Sequence, residues 1–301
     1  MALQERHECF FCIVDLHAMT LPWDPAALAS GRLQAAALLI ASGIDPARAV
    51  LFLQSDVAAH PELAWILMCV ARMGELRRMV QFKEKSKGET ESVGVGLFTY
   101  PVLQAADVLL YRADGVPVGE DQRQHIELMR DLAVRFNQLF GETFVVPGAL
   151  IPEVGARIMA LDDPSQKMSK SAARPASSIQ LTDPADSIRK KVKSAVTDSG
   201  KEVLAAPDKP AVANLLGIFS LVEGTPVAEL EARFEGSGYG DFKTALGEAV
   251  VALVDPIRAR YEELMADPAE LGRALAAGAE RATEVATATM IDVRRAVGLR
   301  A

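Results

Sequence analysis

Cys9-Phe-Phe-Cys-Ile-Val-Asp15 and Ala49-Val-Leu-Phe-Leu53 are the two stretches that decide the fold. Each is a short, nearly unbroken run of aromatic and branched apolar residues, the pattern of a strand buried on both faces. Between them Asp24-Pro25 reads as a helix cap and first helical residue. An Ala- and Leu-rich helix follows to about Ala41, and Ser42-Gly43 supplies the stop. Strand, helix, strand with continuous apolar strands predicts a parallel α/β sheet. Working outward, helices are expected around 60–72, 74–81 and 96–111, a third strand at Gly115-Val-Pro-Val-Gly119, and a long helix from Asp121 to Phe140. Ligands of parallel sheets bind at the carboxyl ends of the strands. Asp15-Leu-His17, Gln54-Ser-Asp56 and Gly119-Glu-Asp-Gln122 are therefore the places to look.

The chain has 301 residues, half of them apolar, which is enough for two domains. Net charge is -8, unlike a polybasic DNA binder, although a local basic face would still suit folded RNA. No apolar run approaches about 20 residues, so no membrane span is expected. The polar start, Met-Ala-Leu-Gln-Glu-Arg-His-Glu, does not resemble a signal peptide, and a cytoplasmic location is expected. Three cysteines, an odd and sparse count, fit a reducing compartment. Cys9-x-x-Cys12 is a redox or zinc half-site by spacing. In a strand, however, residues three apart point to opposite faces, and no second pair follows. These cysteines read as core, and no metal site is expected. Texture changes after residue 150, and from about 183 the chain reads as helix only. Asp183-Pro184 starts one helix, Asp255-Pro256 lies near the start of another, and 268–297 is Ala-rich and amphipathic. The expected division is 1–182, α/β with a helical insertion around 60–111, and 183–301, a helical bundle.

Lys167-Met-Ser-Lys-Ser171 is the most specific local motif. Two lysines three apart with hydroxyl neighbours form a cationic clamp for phosphates whose charge grows during reaction. A solvated surface loop is the plain alternative. Asp107 lies mid-helix among Ala, Val and Leu, where a carboxylate is costly unless partnered. Tyr100 and Gln104 share its helical face.

Lys-Met-Ser-Lys-Ser resembles the second signature of class I aminoacyl-tRNA synthetases. Val14-Asp-Leu-His-Ala-Met-Thr20, Gln81-Phe-Lys-Glu-Lys-Ser86, Tyr100-Pro-Val-Leu-Gln-Ala-Ala-Asp-Val-Leu-Leu-Tyr111, Val116-Pro-Val-Gly-Glu-Asp-Gln-Arg-Gln-His125, Gly155-Ala-Arg-Ile-Met-Ala-Leu161 and Gly238-Tyr-Gly-Asp-Phe-Lys243 resemble bacterial tryptophanyl-tRNA synthetases. The resemblance covers nearly the whole chain in collinear order. It implies a Rossmann-like catalytic domain followed by an anticodon-binding helical domain, and a homodimer. It implies ATP-dependent activation of L-tryptophan and transfer to tRNA(Trp), with Mg²⁺ accompanying ATP, and no membrane or DNA partner.

Residue by residue, the resemblance gives Asp107 the indole N–H, a donor-only group suited to an acceptor-only carboxylate. A salt-bridged or capping Asp is the alternative. Tyr100 and Gln122 would meet the amino acid's polar end. Gln104, where the family often carries Met, and His17 would line the pocket. Gly119, Glu120, Asp121 and Gln122 would take ATP, with Asp121 on the ribose; an ordinary helix cap is the alternative. Gly155 and Met159 would line the adenine side through backbone contacts. Lys85, Lys167 and Lys170, with Met168, Ser169 and Ser171, would surround the phosphates. Arg189-Lys-Lys-Val-Lys193 would face tRNA or simply be a solvated helix face.

One family element is not found. The first class I signature, His-Ile-Gly-His or a variant such as Thr-Ile-Gly-Asn, is absent from these 301 residues. The missing piece would be a strand, turn and helix of about 25–30 residues. The expected sheet is thus N-terminally truncated, lacking its first strand and helix. A start assigned too late and a truncated paralogue are the competing explanations. Two further readings follow: a non-catalytic paralogue binding tryptophan or tRNA, and a tyrosyl-tRNA synthetase.

Overall fold

The computed structural model describes residues 2–79, 94–151, 158–169 and 174–300. Strand β1, Phe10–Ile13, runs into a short helix α1, Asp15–Ala18. Helix α2, Pro25–Ala41, starts as the sequence predicts: the Asp24 carboxylate accepts from the Ala27 N–H at 2.7 Å. Gly43, at φ 102°, turns the chain out of it. Strand β2, Val50–Leu53, then pairs parallel to β1 in the register Phe10↔Val50 to Ile13↔Leu53.

Helices α3 (Ala59–Val70), α4 (Met73–Arg78) and α5 (Val95–Leu109) follow. Strand β3, Gly115–Pro117, is joined through α6, Arg123–Phe140, to a parallel partner β4, Gly148–Leu150. Three residues are too few to show a period, which is why β4 was not legible in the sequence. The single sheet expected is present as two parallel pairs, β1–β2 and β3–β4; among the described residues no strand joins them. The helix expected from Asp121 begins at Arg123, after a 3-10 turn at Glu120–Gln122.

The chain divides into two units, 1–152 with 264–301, and 153–263. The first has a core of Phe52, Leu63, Leu67, Leu109, Met129 and Phe136, all buried. The second comprises α7 (Ala185–Ser194), α8 (Pro210–Glu223), α9 (Val227–Arg233) and most of α10 (Tyr239–Ala266). Its centre is a ring cluster of Phe219, Phe234 and Phe242, with centroids 5.4–6.0 Å apart. Tyr239 shares its hydroxyl between the two Asp198 oxygens at 2.9 and 2.8 Å, and Lys243 donates to the Ala195 carbonyl at 2.7 Å. The Gly238–Lys243 motif therefore clamps the loop after α7.

Two expectations are corrected. Asp255-Pro256 does not start a helix: Pro256 lies inside α10, and the Asp255 carboxylate accepts from Arg258 instead of capping. The boundary at 182/183 is not where the contacts divide. The last helix, α11 (Pro268–Ala296), returns to the first unit, where Ala282, Ala286, Met290 and Val293 join its core. There α11 covers the outer edge of β2. Gly278 abuts the Leu51 backbone so closely that a Cβ would lie 1.8 Å from the Leu51 carbonyl oxygen. Arg281 donates to the Ala49 carbonyl, and Arg294 grips Glu62 on α3 with two bonds of 2.7 and 2.6 Å. A helix over a strand edge removes the edge as a pairing site for other chains.

Candidate active site

The ends of β1 and β2 are tied together by buried polar groups. Asp15, at the start of α1, accepts from the Ser55 N–H at 3.0 Å and the Ser55 hydroxyl at 2.5 Å, with Arg32 beyond at 3.4 Å. Gln54, fully buried just after β2, accepts from the Leu16 N–H at 3.1 Å. Its amide nitrogen donates to Asp107 Oδ1 at 2.6 Å. These bonds fix α1, and with it His17, over the strand ends.

Asp107 projects from α5 into this junction, and its side chain is only 9% exposed. Three side chains donate to it. His17 Nε2 reaches Oδ2 at 2.7 Å, while His60 Nδ1 and Gln54 reach Oδ1 at 2.7 and 2.6 Å. Behind His60, Nε2 meets the Tyr111 hydroxyl at 2.8 Å. Burial alone would raise the Asp107 pKa, but the bonds and charges of His17 and His60 outweigh it and hold the carboxyl below its ordinary 3.8. A depressed carboxylate pKa stabilises the fold above the unfolded value and loses that contribution as pH falls through the folded one. The junction is therefore expected to be intact from neutral pH down to about pH 4 and to weaken only below it. Unfolding midpoints that declined steadily from pH 7 to 5 in the protein but not in Asp107→Asn would contradict this.

A cavity of about 300 Å³ opens against these groups, lined by Val14, His17, Thr20, Tyr100, Gln104, Asp107 and Gln122. All five residues expected to read the amino acid are thus brought to one cavity. Gln104 donates to Gln122 at 3.4 Å, and Gln122 to Asp121 at 3.0 Å, linking α5 to the 3-10 turn. The Tyr100 hydroxyl lies 3.0 Å from His125 Nε2, and burial raises its pKa. Glu120 is held by Arg123 in a two-bond pair at the surface. At Gly119 a Cβ would fall 2.8 Å from the Asp121 carboxylate, so the missing side chain makes room for Asp121.

The second unit carries the signature loop. An Asx turn at Asp163, whose carboxylate accepts from the Ser165 N–H at 2.9 Å, folds 158–160 back on 166–168. Met159 and Lys167 form an antiparallel bridge, Met168 packs toward the core, and Lys167 and Ser169 lie at the surface. Asn214 on α8 donates to the Met159 carbonyl at 3.0 Å and accepts its N–H at 2.9 Å. The Met159 backbone is therefore anchored to α8 through Asn214. Lys85, Gly155, Lys170 and Ser171 lie outside the described residues.

The basic cluster on α7 is thinner than its sequence implies. Arg189 is held by Glu248 and Asp186, and Lys191 by Asp183 at 2.6 Å, leaving Lys190 and Lys193 at the surface. Among the described residues no three His, Cys, Asp or Glu side chains are grouped to hold a metal ion, and no single helix is long and apolar enough to cross a membrane.

Gln54, His60 and Tyr111 are the site residues that sequence reasoning did not assign. Gln54 lay within a strand end marked for inspection, and Tyr111 follows Asp107 at helical spacing. Nothing in the sequence marks His60.

An α/β unit with a carboxylate-based cavity at its strand ends, in a chain that also carries the sequence Lys167-Met-Ser-Lys-Ser171, has the marks of a class I synthetase. The chain belongs to the family described as tRNA synthetases class I (W and Y), whose profile matches residues 1–255. It is 51% identical over 300 residues, 99% of this chain and 91% of the relative, to a tryptophan--tRNA ligase of Caldanaerobacter subterraneus subsp. tengcongensis. Its fold is similar to the tryptophanyl-tRNA synthetase of Mycoplasma pneumoniae, with TM-score 0.91 and 37% identity over 99% of this chain and 90% of that one. It also resembles the Campylobacter jejuni tryptophanyl-tRNA synthetase complexed with ADP and tryptophan, with TM-score 0.84 and 37% identity over 99% and 92% of the two chains.

Proposed function

We propose that this chain is a tryptophan–tRNA ligase whose amino acid specificity rests on Asp107. The observation that carries the reading is a buried, ionised carboxylate on the cavity wall, held by three donors, in a chain half identical to tryptophan--tRNA ligases. In the proposed reaction the tryptophan carboxylate attacks the α-phosphorus of ATP. The bond to pyrophosphate breaks, and tryptophanyl-adenylate forms. A hydroxyl of the tRNA terminal ribose then attacks the activated carbonyl and releases AMP. Mg²⁺ enters with ATP as part of that substrate.

The protein's share is positioning and charge stabilisation. Asp107 takes the indole N–H, His17 and Gln104 flank the ring, and Tyr100 and Gln122 meet the amino acid's polar end. Gly119, Glu120, Asp121 and Gln122 take the nucleotide, and Lys167, Met168, Ser169, Lys170 and Ser171, with Lys85, attend the phosphates. The helices of the second unit would carry the anticodon contacts, with Lys190 and Lys193 at its surface. A homodimer and a cytoplasmic location belong to the same reading.

Asp107→Ala is expected to weaken tryptophan binding by about 1–3 kcal/mol, because the indole donor loses its acceptor. Calorimetric titration checks this, and an unchanged affinity would refute the assignment. Amino-acid-dependent ATP–pyrophosphate exchange tests the reading as a whole. Exchange with tyrosine in place of tryptophan, or tryptophan binding without exchange, would defeat it.

A further inference from the structure

We propose that His60 is a positioning residue that sets the direction in which Asp107 offers its acceptor to the cavity. The inference rests on the reading of Asp107 as the indole acceptor. An ionised carboxylate has about four acceptor sites, two on each oxygen. Gln54 and His60 occupy both sites on Oδ1, and His17 occupies one on Oδ2. One site on Oδ2 remains for a ligand donor.

The terminal torsion of an aspartate is broad and soft, so no rotamer well holds the carboxylate plane. Hydrogen bonds must do so. Of the three donors His17 lines the cavity, whereas Gln54 and His60 do not. His60 is fully buried, so it acts on a ligand only through Asp107.

The imidazole is itself held at its far side. Because a carboxylate only accepts, Nδ1 carries a proton, and Nε2 on the far side of the ring lies 2.8 Å from the Tyr111 hydroxyl. Tyr111 is fixed by stacking on Phe10 at 4.5 Å and by an edge contact with Phe52 at 5.6 Å. Orientation thus passes from both strands of the first pair through Tyr111 and His60 to Asp107. A second group that fixes the tautomer and angle of a histidine commonly governs how the histidine's own partner is presented.

The test uses ATP–pyrophosphate exchange with L-tryptophan and with 3-benzothienyl-L-alanine, in which sulfur replaces the indole N–H. The wild-type protein should prefer tryptophan in kcat/KM. In His60→Leu that preference should shrink by roughly tenfold or more, through a loss on tryptophan with the analogue little changed. His60→Asn, whose amide nitrogen can take the place of Nδ1, should restore most of the preference. Tyr111→Phe should fall between the two. Equal losses on both substrates in His60→Leu would show a merely structural role and overturn the proposal. If His60→Leu does not fold, an unchanged preference in Tyr111→Phe overturns it. Absence of any preference in the wild-type protein would instead overturn the reading of Asp107, and this inference with it.

Discussion

Gly278→Val is expected to destabilise the first unit by roughly 3 kcal/mol, the upper end of the cost of overpacking a well-filled interior. The added Cβ would stand 1.8 Å from the Leu51 carbonyl oxygen and 2.7 Å from its carbon. Neither is the end of a flexible side chain, so relief requires α11 to lift from β2. Lifting it would expose Ala282, Ala286, Met290 and Val293, all buried now, and would lengthen the Arg281 bond to the Ala49 carbonyl. Gly272, on an exposed turn of the same helix, has nothing within 4 Å of its Cβ position. Gly272→Ala should therefore stabilise by about 0.5–1 kcal/mol through helix propensity alone. Thermal unfolding followed by circular dichroism distinguishes the two. Equal effects of the same sign would show that α11 does not rest on β2 through Gly278.

Lys167→Ala is expected to slow tryptophan-dependent ATP–pyrophosphate exchange about 10²–10³-fold while leaving tryptophan affinity nearly unchanged. Charge accumulates on the departing pyrophosphate as the α-phosphate bond breaks, and a cation placed for that moment acts on the transition state more than on bound substrate. Lys167 starts its loop from a defined place, the antiparallel bridge to Met159, which Asn214 anchors at 2.9 and 3.0 Å. Lys167→Arg keeps the charge but not its shape and should recover part of the rate. Unchanged exchange in Lys167→Ala would remove Lys167 from the phosphate reading. Loss of exchange and of tryptophan affinity in equal measure would mark the loop as structural.

The parts of the fold that depend on local chemistry were legible. Asp24 caps α2 because a carboxylate before Pro has few better uses, and Val50, Leu51 and Phe52 are buried on both faces as their continuous apolar run implies. The cavity wall was legible through one helix, since Tyr100, Gln104 and Asp107 share a face. What was not legible depends on distant pairing. His60 and Gln54 lie 47 and 53 residues from Asp107, and neither their type nor their spacing shows the contact. The Ala-rich stripe of α11 shows that one face is buried but not in which core. Asp255-Pro256 signals a helix start that does not occur, because both residues lie inside the continuous helix Tyr239–Ala266.

The return of α11 also has a consequence in time. Arg281 and Ala49 are 232 residues apart, and ribosomes add about 5–20 residues per second. During synthesis β2 must therefore wait roughly 10–50 s, with its outer edge bare, while the whole intervening second unit is made. A nascent chain in that interval presents a short apolar strand to every neighbour. The protein's yield in a cell is thus expected to depend on how that interval is guarded, and slower elongation after residue 53 should lower the soluble fraction.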